Sequence, residues 1–304
     1  MPLNQGWTYR AQIGPGQAGR RLCDHLAATY RHSTLAEWTQ RCDRGEILLD
    51  EAKATGAETL RPGQHIVWHR PPWHEPDVPV HFDVLHEDAE VLAVHKPAGL
   101  PTMPAGGFLE QTLMWRVQAR WTEAHAVHRL GRHTSGVVVF ARTATAASRL
   151  SEAWRAHRVR KVYRGRASGV PVWQTLEIRV PIGPVPHPVL GTVFAASPTG
   201  NPAHSRARVL DTDGTDTVLE VEIMTGRPHQ IRIHLAAAGH PLLGDPLYAP
   251  GGVPRTIAPG LPGDGGYLLH AERVELTHPL SGMPLVIEAP VPPLLRTGPH
   301  RDRG

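Results

Sequence analysis

Between residues 18 and 70 the apolar positions change period along the chain. In AGRRLCDHLAATY, Leu22, Leu26 and Tyr30 fall four apart, which predicts one face of a helix. In STLAEWTQRCDRG, Ser33 or Thr34 supplies an N-cap, Leu35 and Trp38 continue the pattern, and Gly45 supplies the stop. EILLD and QHIVWHR read as short strands joined through the turn RPGQ. The Pro-rich PPWHEPDVPV follows as a stiff linker. Past it, period-two alternation and β-branched runs predict strands at VLAVHKP, GVVVFAR, VYRGRASG, LEIRVPI, HSRARVL, TVLEVEIMTG, HQIRIHL and VELTHP. Helical patches intervene at 110–120, 143–157 and 234–238. The pattern predicts a small α/β module with its linker at 1–75, an α+β domain around one large sheet at 76–293, and a flexible, Pro- and Arg-rich tail at 294–304.

Composition narrows the class. A chain of 304 residues with 40% hydrophobic and 20% charged positions has enough apolar residues for a sizeable core. No apolar run approaches the ~20 residues of a membrane span. The N-terminus lacks a signal-peptide layout. Cys23 and Cys42 are the only cysteines, which excludes a disulfide framework and fits a cytoplasmic protein. The net charge is +4, and of 32 cationic residues only Lys53, Lys96 and Lys161 are lysines. Arginine is the better bidentate phosphate binder, although a GC-rich genome also produces an Arg- and Pro-rich chain. Two predicted helices carrying Arg21, Arg41 and Arg44 at their ends suggest an RNA-contacting module.

Chemistry concentrates in four clusters. VLAVHKPAGLPTMP, residues 91–104, is a strand ending at Lys96 and a Pro/Gly loop. HRLGRHTSG, residues 128–136, packs His128, Arg129, Arg132 and two glycines around the apolar Leu130, the composition of a loop that holds something polar. KVYRG places Lys161 and Tyr163 on one face of a strand. In TGRPHQIRIHLAAAGHPLLGDPLY, residues 225–248, Arg227 lies in a turn, and alternation puts Gln230, Arg232 and His234 on one strand face. The histidine sets His229, His234, His240 and His125, His128, His133 match no metal-ligand spacing, so no metal is expected.

In this order, and with LLHAERVELTHP after them, these clusters resemble the RluA-type RNA pseudouridine synthases over residues 83–293. Residues 18–70 resemble the S4-like RNA-binding module often fused in front. The resemblance implies the pseudouridine synthase fold, a large mixed but mainly antiparallel sheet with flanking helices and a central cleft. It implies an isomerase that acts as a monomer without metal or cofactor, on ribosomal or transfer RNA and away from membranes. A uridine is flipped into the cleft, its N1–C1′ bond is broken, and a C5–C1′ bond is made. Arg129 then belongs to the catalytic loop, Tyr163 lies against the base, Arg227 pairs with the catalytic aspartate and contacts phosphate, and Leu269 packs the last motif. Lys96, His128, Arg132, Lys161, Gln230 and Arg232 are expected at the RNA.

One position departs from the family. Its aspartate, nucleophile at C1′ or base at C2′, falls on Gly131, which has no side chain to do either. Losing a nucleophile commonly costs on the order of 10⁴-fold or more. Asp88, Glu110 and Asp245 are the carboxylates considered as substitutes, though none has a spacing that recommends it. Plainer readings stand beside these: Arg227 as a phosphate clamp alone, Tyr163 as a core tyrosine, Asp245 as a turn residue, and Gly131 as a backbone that Asp also tolerates. Two functions follow, an active uridine isomerase or a catalytically silent RNA-binding protein on the same scaffold.

Overall fold

The computed structural model describes residues 1–298. They divide into two units, Met1–Pro76 and Asp77 onward. The first holds β1 (Trp7–Gln12), α1 (Leu22–Thr29), α2 (Leu35–Asp43), β2 (Ile47–Leu49), β3 (Ala52–Lys53) and β4 (His65–Arg70). Its sheet runs β1-β4-β2-β3, all antiparallel. Thr34 is the N-cap of α2, with a full capping box to Glu37. Leu22, Leu26, Trp38, Cys42, Ile47 and Leu60 form this unit's own core. Strand β1 was not expected, because its largely exposed residues show no alternation. Nor is PPWHE a free spacer: Asn4 Nδ2 donates to Glu75 at 2.7 Å, and Asn4 N donates to the Trp73 carbonyl at 3.1 Å.

The second unit contains β5 (Asp83–Glu87), β6 (Val91–Lys96), α3 (Leu113–Gln118), β7 (His125–Ala126), β8 (Ser135–Ala141), α4 (Ala144–Arg155), β9 (Arg160–Ser168) and β10 (Thr175–Ile178). After them come β11 (Ile182–His187), β12 (Gly191–Ala196), β13 (Ser205–Thr212), β14 (Asp216–Ile223), α5 (Gln230–Ala237), β15 (Tyr248–Ala249), β16 (Val253–Pro254), β17 (Leu269–Thr277) and β18 (Pro284–Glu288). The main sheet has 10 strands, ordered β10-β13-β14-β9-β17-β8-β6-β5, with β18 on β17 and β7 on β8. This is the α+β architecture expected, mainly antiparallel with few helices.

One contact in the sheet is parallel. Strand β17 pairs β8 through His270↔Ser135 and Ala271↔Gly136, and joins the two halves of the sheet. Gly136 has φ +113, and a β-carbon there would lie 2.1 Å from the Ala271 carbonyl oxygen. Only glycine lets the backbones approach this closely. Strand β8 is buried throughout: Val138 and Phe140 face one core, Val137, Val139 and Ala141 the other. That explains its unbroken apolar run.

Residues 230–237 correct the sequence reading: they form helix α5, not a strand. Ile231 and Leu235 enter the core under the main sheet, while Ile233 and Ala236 enter a separate cluster with Tyr248. A helix buried on both sides has no polar stripe, so Q-I-R-I-H-L imitates strand alternation. The polar residues are satisfied internally instead. Gln230 bonds Thr225, His204 and Ser205, and His234 bonds Ser205 and the Val180 carbonyl. The tail is also tied down further than expected. Pro293–Leu295 forms a short 3-10 turn with Leu295 buried, and the rest of that expectation, from residue 299, lies outside the described residues.

Gly136→Ala is expected to destabilise the second unit by about 2–4 kcal/mol, since the strained φ and the backbone clash add. Gly131→Ala, whose φ lies outside the left-handed region, is expected to cost under about 1 kcal/mol. Urea unfolding midpoints measure both; equal midpoints would contradict the parallel seam.

Candidate active site

A cavity of about 270 Å³ opens beside the β8–β17 seam. The loop before β8 contributes His128, Arg129, Leu130, Gly131 and Thr134 to its wall, and β9 contributes Lys161 and Tyr163. Gly226, Arg227 and His229 come from the turn after β14, Arg232 from α5, and Tyr267 and Leu269 from the start of β17. The loop is held from below. Lys96, wholly buried, donates from Nζ to the carbonyls of Pro97 at 2.9 Å, Leu100 at 2.7 Å and Arg132 at 3.0 Å. Thr102 Oγ1 donates to the Leu130 carbonyl at 2.9 Å.

These contacts sort the expected residues. Arg129, Gly131, Tyr163, Arg227 and Leu269 converge on the cavity, and so do His128 and Lys161. Lys96 does not: it pins the loop from within the core. Gln230 and Arg232 touch the cavity wall but are 3% and 2% exposed, and their polar atoms are committed inside the fold. Arg132 lies off the cavity. It donates to the Gly99 carbonyl and lies over the Phe108 ring, fastening the 97–108 loop. In the first unit Arg21 and Arg44 are exposed, with Arg44 paired to Glu46 at 2.6 Å. Arg41 lies over the rings of Trp38 and Trp68, 4.4 and 4.7 Å from their centroids.

Sequence reasoning missed four polar or aromatic wall residues. Trp154 stacks on His128 with ring centroids 4.8 Å apart. His229, in the left-handed region at φ 54, bonds Tyr248 through Nδ1 at 2.8 Å. Thr134 and Tyr267 flank Gly131. For Tyr267 one signal existed: it is an aromatic in a Gly-rich stretch, two residues before the Leu269 motif. Trp154 gave none, because a tryptophan on an amphipathic helix reads as core.

The electrostatics are one-sided. No Asp or Glu is among the residues lining the cavity, while Arg129, Lys161, Arg227 and Arg232 are. Burial pushes the Tyr163 phenol up to about 12, so it stays protonated at neutral pH. Burial, then the Lys161 charge, lowers His128 to about 3. Burial, with help from Arg232, lowers His229 to about 4. The carboxylates considered as substitutes all sit elsewhere. Asp88 receives the backbone N–H groups of Glu90 and Val91 at 2.8 Å. Asp245, 1% exposed, grips Arg232 through two hydrogen bonds of 2.7 and 2.8 Å. Glu110 is absent from the cavity wall. Among the described residues no group of three or more His, Cys, Asp or Glu could hold a metal ion, and no helix is long and apolar enough to cross a membrane.

A family model for RNA pseudouridylate synthase matches residues 90–237, which carry the loop, Tyr163 and Arg227. An uncharacterized RNA pseudouridine synthase of Synechocystis sp. is 40% identical, covering 91% of this chain and 96% of its own. RNA pseudouridine synthase 5 of Arabidopsis thaliana is 36% identical over 97% and 95% of the two chains. Ribosomal large subunit pseudouridine synthase D of Xanthomonas campestris is 35% identical over 93% and 89%. The solved structure of human RNA Pseudouridylate Synthase Domain Containing 1 shares the fold, with a TM-score of 0.56 at 22% identity over 73% of this chain and 89% of that one. The chain therefore belongs to the RNA pseudouridine synthases of the RluA type, and its large sheet is the fold of that family.

The buried imidazoles set a pH dependence. Burial lowers His270 to about 4, as it does His229, and His128 lies lower still. The unfolded chain takes up protons on these rings below about pH 6.5, the folded chain only near pH 4 and under. Stability therefore rises with pH across that window and is lost on acidification, by up to about 1.4 kcal/mol per pH unit for each ring. Urea midpoints between pH 7.5 and 5 are expected to fall as pH falls. Constant midpoints would mean that the rings titrate normally in the fold.

Proposed function

We propose that this protein isomerises uridine to pseudouridine in structured ribosomal or transfer RNA, with the base flipped into the cavity between Tyr163 and Leu269. The observation that carries this reading is the shape and charge of the wall: aromatic and aliphatic surfaces inside, Arg129 and Arg227 exposed at the mouth. A cavity of about 270 Å³ is on the scale of one pyrimidine nucleoside. The exposed guanidinium groups suit the flanking phosphates. Family membership supports action on RNA. The first unit, read as an S4-like module, adds Arg21, Arg41 and Arg44 as a docking face, with Arg41 held by its cation–π contacts for phosphate.

A second reading, a silent RNA-binding protein, rests on one observation: Gly131 stands where the family's carboxylate stands, and no other carboxylate lines the cavity. Mapping pseudouridines in the host with and without the gene separates the two. Loss of one or a few sites on deletion supports the enzyme, and an unchanged map supports the binder.

Arg227→Ala is expected to weaken binding of structured RNA at least about tenfold, while Arg296→Ala, outside the cavity, changes it by less than about twofold. Affinity for both proteins should fall steeply between 50 and 200 mM salt, on the order of 10³-fold for six phosphate contacts. Filter-binding isotherms measure this. Equal small losses from the two variants would remove Arg227 from the RNA site.

A further inference from the structure

The space left by Gly131 is not empty of chemistry. A β-carbon built on Gly131 would stand 3.3 Å from Tyr267 Oη and 3.5 Å from Thr134 Oγ1. A side chain at 131 would therefore begin beside the Tyr267 hydroxyl. Tyr267 as a whole is only 6% exposed, yet it belongs to the cavity wall. The hydrogen bonds among the described residues include none to its hydroxyl, although its neighbour Tyr248 has two partners. The ring is packed away while the hydroxyl opens on the cavity with no protein partner, so it is free to meet whatever the cavity holds. Its ring is fixed from behind by the Arg232 guanidinium, 4.3 Å from the ring centroid, which Asp245 locks in place.

We propose that Tyr267 is the nucleophile of this protein, its phenol oxygen replacing the carboxylate that Gly131 lacks. This deepens the synthase reading above and rests on it. Tyr267 Oη attacks C1′ of the flipped uridine on the face opposite the base. The C1′–O bond forms as N1–C1′ breaks, the electron pair stays on N1, and the phenol proton passes to the departing uracil. The uracil turns within the cavity and its C5 attacks C1′ from the original face. The C1′–O bond breaks, and the resulting phenolate takes the proton that C5 must lose, restoring Tyr267. Atoms and protons balance with no outside reactant, and two inversions leave the configuration at C1′ unchanged. Tyrosine serves as the glycosyl nucleophile in some glycosidases, so the step has chemical precedent.

The test uses the full chain and total RNA from a strain lacking the gene, and compares wild type, Tyr267→Phe and the double variant Tyr267→Phe/Gly131→Asp. Tyr267→Phe is expected to lower the single-turnover rate of pseudouridine formation by about 10³-fold or more, with RNA affinity unchanged within about threefold. Adding Gly131→Asp is expected to restore part of that rate, since it returns a carboxylate to the same point. Rescue shows that Tyr267→Phe leaves the fold and the RNA site intact, so that the lost rate belongs to the phenol oxygen. If Tyr267→Phe does not fold, rapid quenching of the wild-type reaction decides, followed by mass mapping of the protein. A ribosyl adduct on residue 267 supports the proposal; an adduct elsewhere, or none, overturns it. Wild-type turnover that survives in folded Tyr267→Phe sinks the nucleophile alone. No turnover by wild type on any RNA sinks the synthase reading and the nucleophile with it.

Discussion

The buried Arg232–Asp245 pair is the contact on which the site depends. Two short parallel hydrogen bonds join the groups, and Asp245 Oδ1 also accepts the N–H groups of Leu247 and Tyr248 at 2.9 and 3.0 Å. Burial works against both charges, but these hydrogen bonds hold the Asp245 carboxyl below its usual range. Removing one partner of such a pair typically costs about 3–5 kcal/mol, because the other is left charged and buried. The guanidinium lies against the rings of Tyr248 and Tyr267, 5.0 and 4.3 Å from their centroids. Through it, helix α5, the 245–248 turn and the start of β17 share one fixed point. Without that point Tyr267 would have no defined place in the cavity wall.

The same pair shows why the chemistry of this site is one-sided. Asp245 follows the turn carrying Arg227 in the same motif, and its charge is spent on Arg232. The remaining cations of the wall, Arg129, Lys161 and Arg227, face no acid across the cavity. Such a field attracts phosphate and adds to the burial that keeps His128 and His229 neutral. It also favours any step in which negative charge develops on a pyrimidine or a phenol.

Much of this was legible in the sequence, and the failures have physical causes. Seven of the ten strands of the main sheet follow from alternation and β-branching, while β5, β7 and β18 do not stand out in the sequence; of the two N-cap candidates the structure takes Thr34. Scarcity of lysine singled out Lys96 and Lys161, but only Lys161 reaches the cavity. Lys96 is retained where an ammonium can bond three carbonyls at once, a geometry that a planar guanidinium does not offer. Helix α5 was misread because both of its sides are buried. Convergence across the fold is the part no local pattern contains. Gly131 and Tyr267 lie far apart in the chain, and only the β8–β17 seam brings them together.

That seam also separates two meanings of glycine in one loop. At Gly136 the backbone demands glycine: φ is +113 and the Ala271 backbone occupies the place of a side chain. At Gly131 neither constraint applies. Its φ lies outside the left-handed region, and the nearest atoms to a β-carbon are two hydroxyl oxygens at the ends of side chains. Those hydroxyls are groups that a carboxylate could bond rather than atoms that would exclude it. The fold therefore does not require glycine at 131. The site pairs an absent side chain with a phenol oxygen beside the vacancy, and that is a feature of the chemistry rather than of the backbone.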